Sequence, residues 1–265
     1  MWESPKKDIE RLRCSTVMRR SYQTNFYTMS QRVRDPSSRQ EKAAKIIWAL
    51  TRYVDQISSP AVCLDVGCSS GMITAALASL FSATVGLEYD TVALQAVDEE
   101  ARARVQFVRG DAMHLPFGDG VIDVVICAQV YEHVPDDEKM FEEIYRVLKP
   151  GGAVFFSGPN WLFPIEPHYF LPFLHWLPDR FASFYLRLSG RGTSYYERSR
   201  HLWGLRRLAA RFAIRDISID ILRQWYLPRS GKVGRFLQRL PEGVWSVLLP
   251  LFPNFNWILR KPLEQ

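Results

Sequence analysis

The sequence predicts a doubly wound α/β fold: a mostly parallel sheet with helices on both faces, then a C-terminal elaboration. Three observations carry this expectation. Strand-length apolar runs alternate with helical patterns between Ala61 and Pro159. The runs are apolar at nearly every position, as strands covered on both faces require. Acidic residues stand where three successive runs end, and the strand ends of such sheets are where ligands bind.

The elements follow in order. Residues 1–38 are polar and basic and read as an N-terminal arm. "RQEKAAKIIWALTRYVD" carries apolar residues at helical spacing, with Ile46, Ile47 and Leu50 on one side. "AVCLDV" reads as the first strand and "SGMITAALASLF" as the helix after it. "TVGLEY" is a strand, and "DTVALQAVDEEARA" a helix capped by Asp90. "VQFVRG" and "VIDVVICAQV" are strands, and "DDEKMFEEIYRVL" is a helix that Pro150 and the following glycines stop before the strand "AVFFSG". The rhythm breaks after Pro159. "PNWLFPIEPHYFLPFLHWLP" holds five prolines and reads as a loop or lid. "HLWGLRRLAARFA" is helical, "IRDISIDIL" alternates as a sixth strand, and "FNWILRKP" makes a seventh. Residues 224–253, apolar and broken by prolines, would be an insertion between two antiparallel edge strands. The expected organisation is an arm at 1–38, a ligand-binding core at 39–158, and a lid and acceptor-binding region with the last strands at 159–265.

With 265 residues, 47% of them hydrophobic, the chain builds a full core and is not a disordered protein. The N-terminus shows no signal-peptide pattern and no apolar run is long enough for a spanning helix. Cys14, Cys63, Cys68 and Cys127 form no C-x-x-C pair and no metal spacing, so buried reduced thiols in a cytoplasmic protein are expected, and no metal site. The net charge of +6 is uneven: residues 179–265 hold 16 Lys and Arg against 6 Asp and Glu. A basic tail of this kind faces a membrane, a nucleic acid or an anionic substrate.

"LDVGCSSG" places a tight turn between a buried strand and a helix. Gly67 frees the backbone to turn and to lie against a ligand, and Gly71 opens a helix whose N–H groups favour an anionic group. Asp65 at the strand end can accept from an ammonium or from loop N–H groups. Glu88 ends the second strand 23 residues later, placed to chelate two ribose hydroxyls. Asp111 ends the third strand, where a carboxylate can accept from an adenine amine and the N–H of Ala112 or Met113 can serve a ring nitrogen. Three such acids suit a ligand with an amino-acid end, a ribose and an adenine.

Taken in order, "LDVGCSSG", "GLEYD", "GDAMHLPF", "VICAQVYEHVPD" and "EEIYRVLKPGG" resemble the class I S-adenosylmethionine-dependent methyltransferases of the small-molecule type over about residues 40–160. The resemblance implies a Rossmann-like fold with a mostly parallel seven-stranded sheet and S-adenosylmethionine as cofactor. It implies that Gly67, Cys68 and Gly71 bind the methionine end with Asp65 nearby, and that Glu88 binds the ribose. Tyr89 would flank the adenine, Asp111, Ala112 and Met113 would hold its edge, and Gln129 would lie beside the transferring methyl. Ser69 stands where the usual first motif has its middle glycine.

The acceptor side is read from fewer residues. A hydroxyl acceptor needs proton removal near neutral pH, which suits His133; the same residue could equally serve as a local hydrogen-bonding group. Glu166, His168 and Tyr169 fall in the lid and are candidate substrate contacts, or else tie the lid down. The Asn/Asp-Pro-Pro-aromatic motif of base amino methylation is absent, as is a Pro-Cys at the fourth strand end. The expected acceptor is therefore a small molecule, sugar or lipid-linked intermediate, methylated at oxygen, rather than a nucleic acid. The basic aromatic C-terminal region suits lid or core packing, with contact at the inner face of a membrane as the rival reading. Other classes are a nicotinamide-dependent oxidoreductase, disfavoured by the incomplete glycine fingerprint, and a catalytically inactive binding protein of the same fold.

Overall fold

The computed structural model describes residues 21–23, 26–54 and 60–263. Cys14 and the first half of the arm lie outside the described residues. The strands are β1 Val62–Val66, β2 Ala83–Glu88, β3 Gln106–Arg109, β4 Ile122–Ala128, β5 Leu148–Pro159, β6 Ala213–Asp216 and β7 Asn254–Arg260. They form one sheet in the order β3-β2-β1-β4-β5-β7-β6. β1 to β5 pair in parallel, and β7 runs antiparallel between β5 and β6. The order reverses between β1 and β4, which opens a crevice at their carboxyl ends.

Each central strand is buried on both faces. On β4, Val125 and Cys127 join one core with Leu64, Val66, Phe156 and Trp257. Val124 and Ile126 join the other, with Ile46, Leu50, Ile73 and Leu77. This is the period of two that apolar strand runs imply. It also turns the side chain of Asp65, in phase with Cys63, toward the helix Met72–Leu77.

The helix expected from Arg39 opens three residues earlier, at Pro36, because Asp35 caps it by accepting from the N–H of Ser38. Asp90 caps the helix Thr91–Gln95 as expected, but "DTVALQAVDEEARA" is two helices, not one. Asp98 accepts from the N–H of Ala101 at 2.7 Å and starts the helix Glu99–Arg104 afresh. "IRDISIDIL" is a strand only to Asp216. The Asp216 carboxylate accepts from the N–H of Ser218 and from Trp257 Nε1, and the chain turns into the helix Ser218–Ile221. Ile217 and Ile221 then share a helical face in the core, a spacing the alternating pattern concealed. β6 is thus an edge strand while β7 is interior, and the segment between them is helical at Gly231–Gln238 and Glu242–Leu248.

The proline-rich stretch after β5 packs around Leu171, Leu174, Ala182 and Leu186 with three tyrosines. It is pinned at its base. Asn160 Nδ2 donates to the carbonyls of Pro250 and Phe252, both at 2.7 Å, and Tyr131 donates to the Pro159 carbonyl at 2.6 Å. No described helix is long and apolar enough to cross a membrane.

Candidate active site

A cavity of about 760 Å³ lies at the carboxyl ends of the strands, at the reversal of strand order. Its walls come from the turn after β1, the ends of β2 and β4, the lid, the segment before β7, and the helix Pro36–Tyr53 with the arm before it. Gly67, Glu88, Tyr89, Ala112, Gln129, His133 and His168 line it. The other expected site residues, Asp65, Cys68, Gly71, Asp111, Met113, Glu166 and Tyr169, are not among the residues that line it.

Gly67 and Gly71 both adopt left-handed backbone, φ +72° and +75°. A Cβ on Gly67 would meet Val130 Cγ2 at 2.8 Å, and one on Gly71 would meet the ring of Phe107. Backbone hand and close packing thus require both glycines before any ligand is considered. Ser69 between them is left-handed too, φ 55°, and its buried Oγ has no hydrogen-bond partner. Its N–H donates to Glu88 Oε2 at 2.8 Å, while Glu88 Oε1 accepts from the N–H groups of Tyr89 and Asp90. Three backbone donors therefore fix the carboxylate at the cavity wall. Burial raises its pKa, and those hydrogen bonds oppose the rise.

Asp65 is buried and accepts from the Thr74 hydroxyl at 2.6 Å. Burial pushes its pKa up to about 7. Gln129 is held in left-handed backbone at the end of β4 by its N–H to the Ser157 carbonyl at 2.7 Å. Asp111 accepts from the N–H of Met113 and also from the hydroxyl of Tyr22, an arm residue that sequence reading did not single out.

The acceptor side is built from two loops and the arm. The turn after β4 carries Glu132 and His133, and backbone bonding of Arg198 N–H to the Glu132 carbonyl docks it against the lid. Glu166 is fully buried; it accepts from the N–H groups of His168 and Tyr169 and from His168 Nδ1 at 2.6 Å. His133 Nδ1 lies 2.8 Å from Gln23 Oε1, while Gln23 Nε2 donates to Glu197. Both imidazoles thus spend Nδ1–H on a fixed acceptor and turn Nε2 toward Glu132, each 3.8 Å from its Oε1. Burial works to lower the pKa of His168, but the hydrogen bond to Glu166 and the charges of Glu166, Glu197 and Glu132 outweigh it and raise the value to about 9. Burial pushes Glu132 up to about 7. Lys42, on the cavity wall, is lowered to about 7 by burial and by the charge of Arg39.

Glu132, Glu197, Gln23 and Lys42 were not among the residues expected from the sequence. Glu132 adjoins His133 in "YEH" and could have been noticed, but nothing local shows that it is buried. The other three join the site only through long-range packing.

Comparison with known proteins agrees with the geometry. Residues 64–156 match the methyltransferase domain family. An uncharacterized methyltransferase of Mycobacterium leprae is 36% identical over 131 residues, 49% of this chain and 48% of that protein. A demethylmenaquinone methyltransferase of Lactobacillus johnsonii is 37% identical over 99 residues, 34% of this chain and 41% of that one. The chain spans about half the length of the curated relatives it matches. Among solved structures, geranyl diphosphate C-methyltransferase from Streptomyces coelicolor superposes with a TM-score of 0.55 at 18% identity, covering 84% of this chain and 77% of that chain.

Proposed function

We propose that this chain is a class I S-adenosylmethionine-dependent methyltransferase, a reading supported by the methyltransferase-domain match over residues 64–156, and that its cavity binds S-adenosylmethionine and transfers the methyl group to an oxygen of a small-molecule, sugar or lipid-linked acceptor. The observation that carries this reading is the run from Gly67 to Glu88: a left-handed turn beside a carboxylate that three backbone N–H groups hold at the cavity wall. The residues present fit the cofactor. Glu88 Oε2 keeps a lone pair for a ribose hydroxyl, and the buried Ser69 hydroxyl is an unpartnered donor beside it.

When bound, S-adenosylmethionine supplies an electrophilic methyl on a sulfonium. The chain's part is to hold the ribose with Glu88, to align the acceptor oxygen with the methyl and sulfur, and to exclude water with arm and lid. With the cofactor bound and its methyl passed to the acceptor oxygen, His133 Nε2 would be the group to take the acceptor proton. The Gln23 contact favours the tautomer that leaves Nε2 basic, and Glu132 stabilises the imidazolium that forms.

Membrane-surface acceptors are favoured by exposed apolar side chains that no described residue covers. On the helix Asp179–Leu188, Phe181, Phe184 and Leu188 are 65%, 59% and 76% exposed, and on Gly231–Gln238, Val233 and Phe236 are each 65% exposed. Arginines border both helices. A cytoplasmic location is part of the same reading, and nucleic acid is not an expected partner.

Isothermal titration with S-adenosylmethionine, S-adenosylhomocysteine and NAD tests the cofactor. Saturable binding of the first two, lost in folded Glu88→Ala, is expected. Binding of NAD alone would favour the oxidoreductase reading. Product formation from labelled cofactor with hydroxylated lipid-linked acceptors, and flotation with anionic vesicles, test the acceptor and the surface.

A further inference from the structure

We infer that Glu132, His133 and His168 form a binding site for one divalent first-row transition metal ion at the acceptor end of the cavity. One donor atom from each residue lies within 4.8 Å of the other two. Both histidine Nε2 atoms face the same carboxylate oxygen, each at 3.8 Å. Bond lengths of about 2.0–2.2 Å to a shared ion bring such donors to roughly 3–3.6 Å, so each 3.8 Å separation closes by less than about an ångström.

Three further features point to a cation rather than to chance proximity. The Glu132 carboxylate is fully buried and neither oxygen has a hydrogen-bond partner; the groups that face it are the two imidazole Nε2 atoms, both beyond hydrogen-bond distance at 3.8 Å, which leaves room for an ion between them. The far nitrogen of each imidazole is fixed by an acceptor, Gln23 Oε1 for His133 and Glu166 Oε1 for His168. Such outer contacts orient imidazole ligands in metal sites. Finally, three carboxylates, Glu132, Glu166 and Glu197, are buried within one cluster, at 0%, 0% and 2% exposure. A divalent ion bound among them offsets their mutual repulsion.

Two imidazoles and one carboxylate suit zinc, iron, cobalt or manganese better than magnesium or calcium. Three protein ligands leave open positions, and both histidines line the cavity from which a further ligand would approach the ion. Resting on the acceptor-site reading above, the acceptor class that fits presents a hydroxyl beside a second oxygen, both within reach of the ion. In the metal-bound protein His133 is a ligand, and the metal-held hydroxyl loses its proton to solvent instead. Sequence spacing offered no metal because the lid supplies the third ligand.

The test uses the full chain, tag-free and stripped with chelator, titrated with Zn2+ by calorimetry and with Co2+ by visible absorption. One ion per chain is expected, with a Co2+ d–d band of low coordination number. Glu132→Gln and His168→Asn should each weaken binding about 100-fold or more. Gln23→Ala keeps all three donors and should weaken it about 10-fold, which covers the case where a ligand variant fails to fold. No Zn2+ binding by folded wild-type chain, or binding unchanged in the ligand variants, overturns the inference. S-adenosylhomocysteine titration runs in parallel: its binding without metal binding sinks the metal site alone, and metal binding without it sinks the cofactor reading alone.

Discussion

The phenol ring of Tyr22 lies face to face on the ring of Tyr89, with 3.9 Å between centroids and 19° between planes, and its hydroxyl donates to Asp111. Those are the platform and the edge acceptor that the family resemblance gives to adenine. The arm therefore stands where the cofactor base would go, and adenine has to displace it. Tyr22→Ala is expected to bind S-adenosylhomocysteine about 10-fold more tightly, since a stack of about 0.5–1.5 kcal/mol and a hydrogen bond no longer compete. Calorimetry reads this directly. Weaker binding would mean that Tyr22 clasps the cofactor instead.

Glu88 has a structural duty as well as a proposed binding one. Its carboxylate accepts from Ser69, Tyr89 and Asp90 N–H groups, tying the turn after β1 to the end of β2. Glu88→Ala is expected to destabilise the chain by about 2–4 kcal/mol in urea unfolding as well as to abolish cofactor binding. Glu88→Gln keeps an acceptor oxygen and should lose less stability while still losing affinity. Equal stability of wild type and Glu88→Ala would remove the structural duty.

Gly71 is required twice, by its positive φ and by Phe107. Gly71→Ala should cost about 2–4 kcal/mol of stability. Pairing it with Phe107→Ala removes the clash but not the backbone strain, so the double variant should be less destabilised than the two single losses added together. Plain additivity would show that Phe107 simply moves aside.

Asp65 makes stability depend on pH in a defined direction. Its folded pKa, raised to about 7 by burial, exceeds its ordinary value of 3.8. The folded state thus holds the proton more tightly than the unfolded one. Its contribution favours folding fully below about pH 4 and is lost as pH rises to about 7. Asp65→Asn should flatten the melting temperature across that window, provided Thr74 keeps a partner in the amide oxygen. An unchanged slope would assign the pH dependence to other buried acids such as Glu132.

Strand and helix rhythm alone made the sheet legible, because a strand buried on both faces has no choice but to be apolar throughout. The exceptions have local causes. Asp98 splits a helix whose apolar spacing is continuous, and Asp216 stops a strand whose residues fit either period. In each case a short carboxylate side chain captures a nearby backbone N–H, a competition that hydrophobic pattern does not register. On the cofactor side, the loop glycines and Glu88 were readable because their chemistry needs neighbours only a few residues away.

By itself, then, the sequence determined the fold class, the methyltransferase resemblance and the positions of the strand-end acids, since all three follow from short-range order along a repeating β–α chain. Only the tertiary structure decided that Tyr22 covers Tyr89, that Glu132 is buried between His133 and His168, and that Gln23, Glu166 and Glu197 hold those histidines in place. The physical reason is range. The cluster draws on the arm, the turn after β4 and the lid, and nothing in any one of these segments specifies the other two. Their meeting is set by the packing of lid and arm onto the sheet, where burial turns ordinary surface residue types into a charged, oriented site.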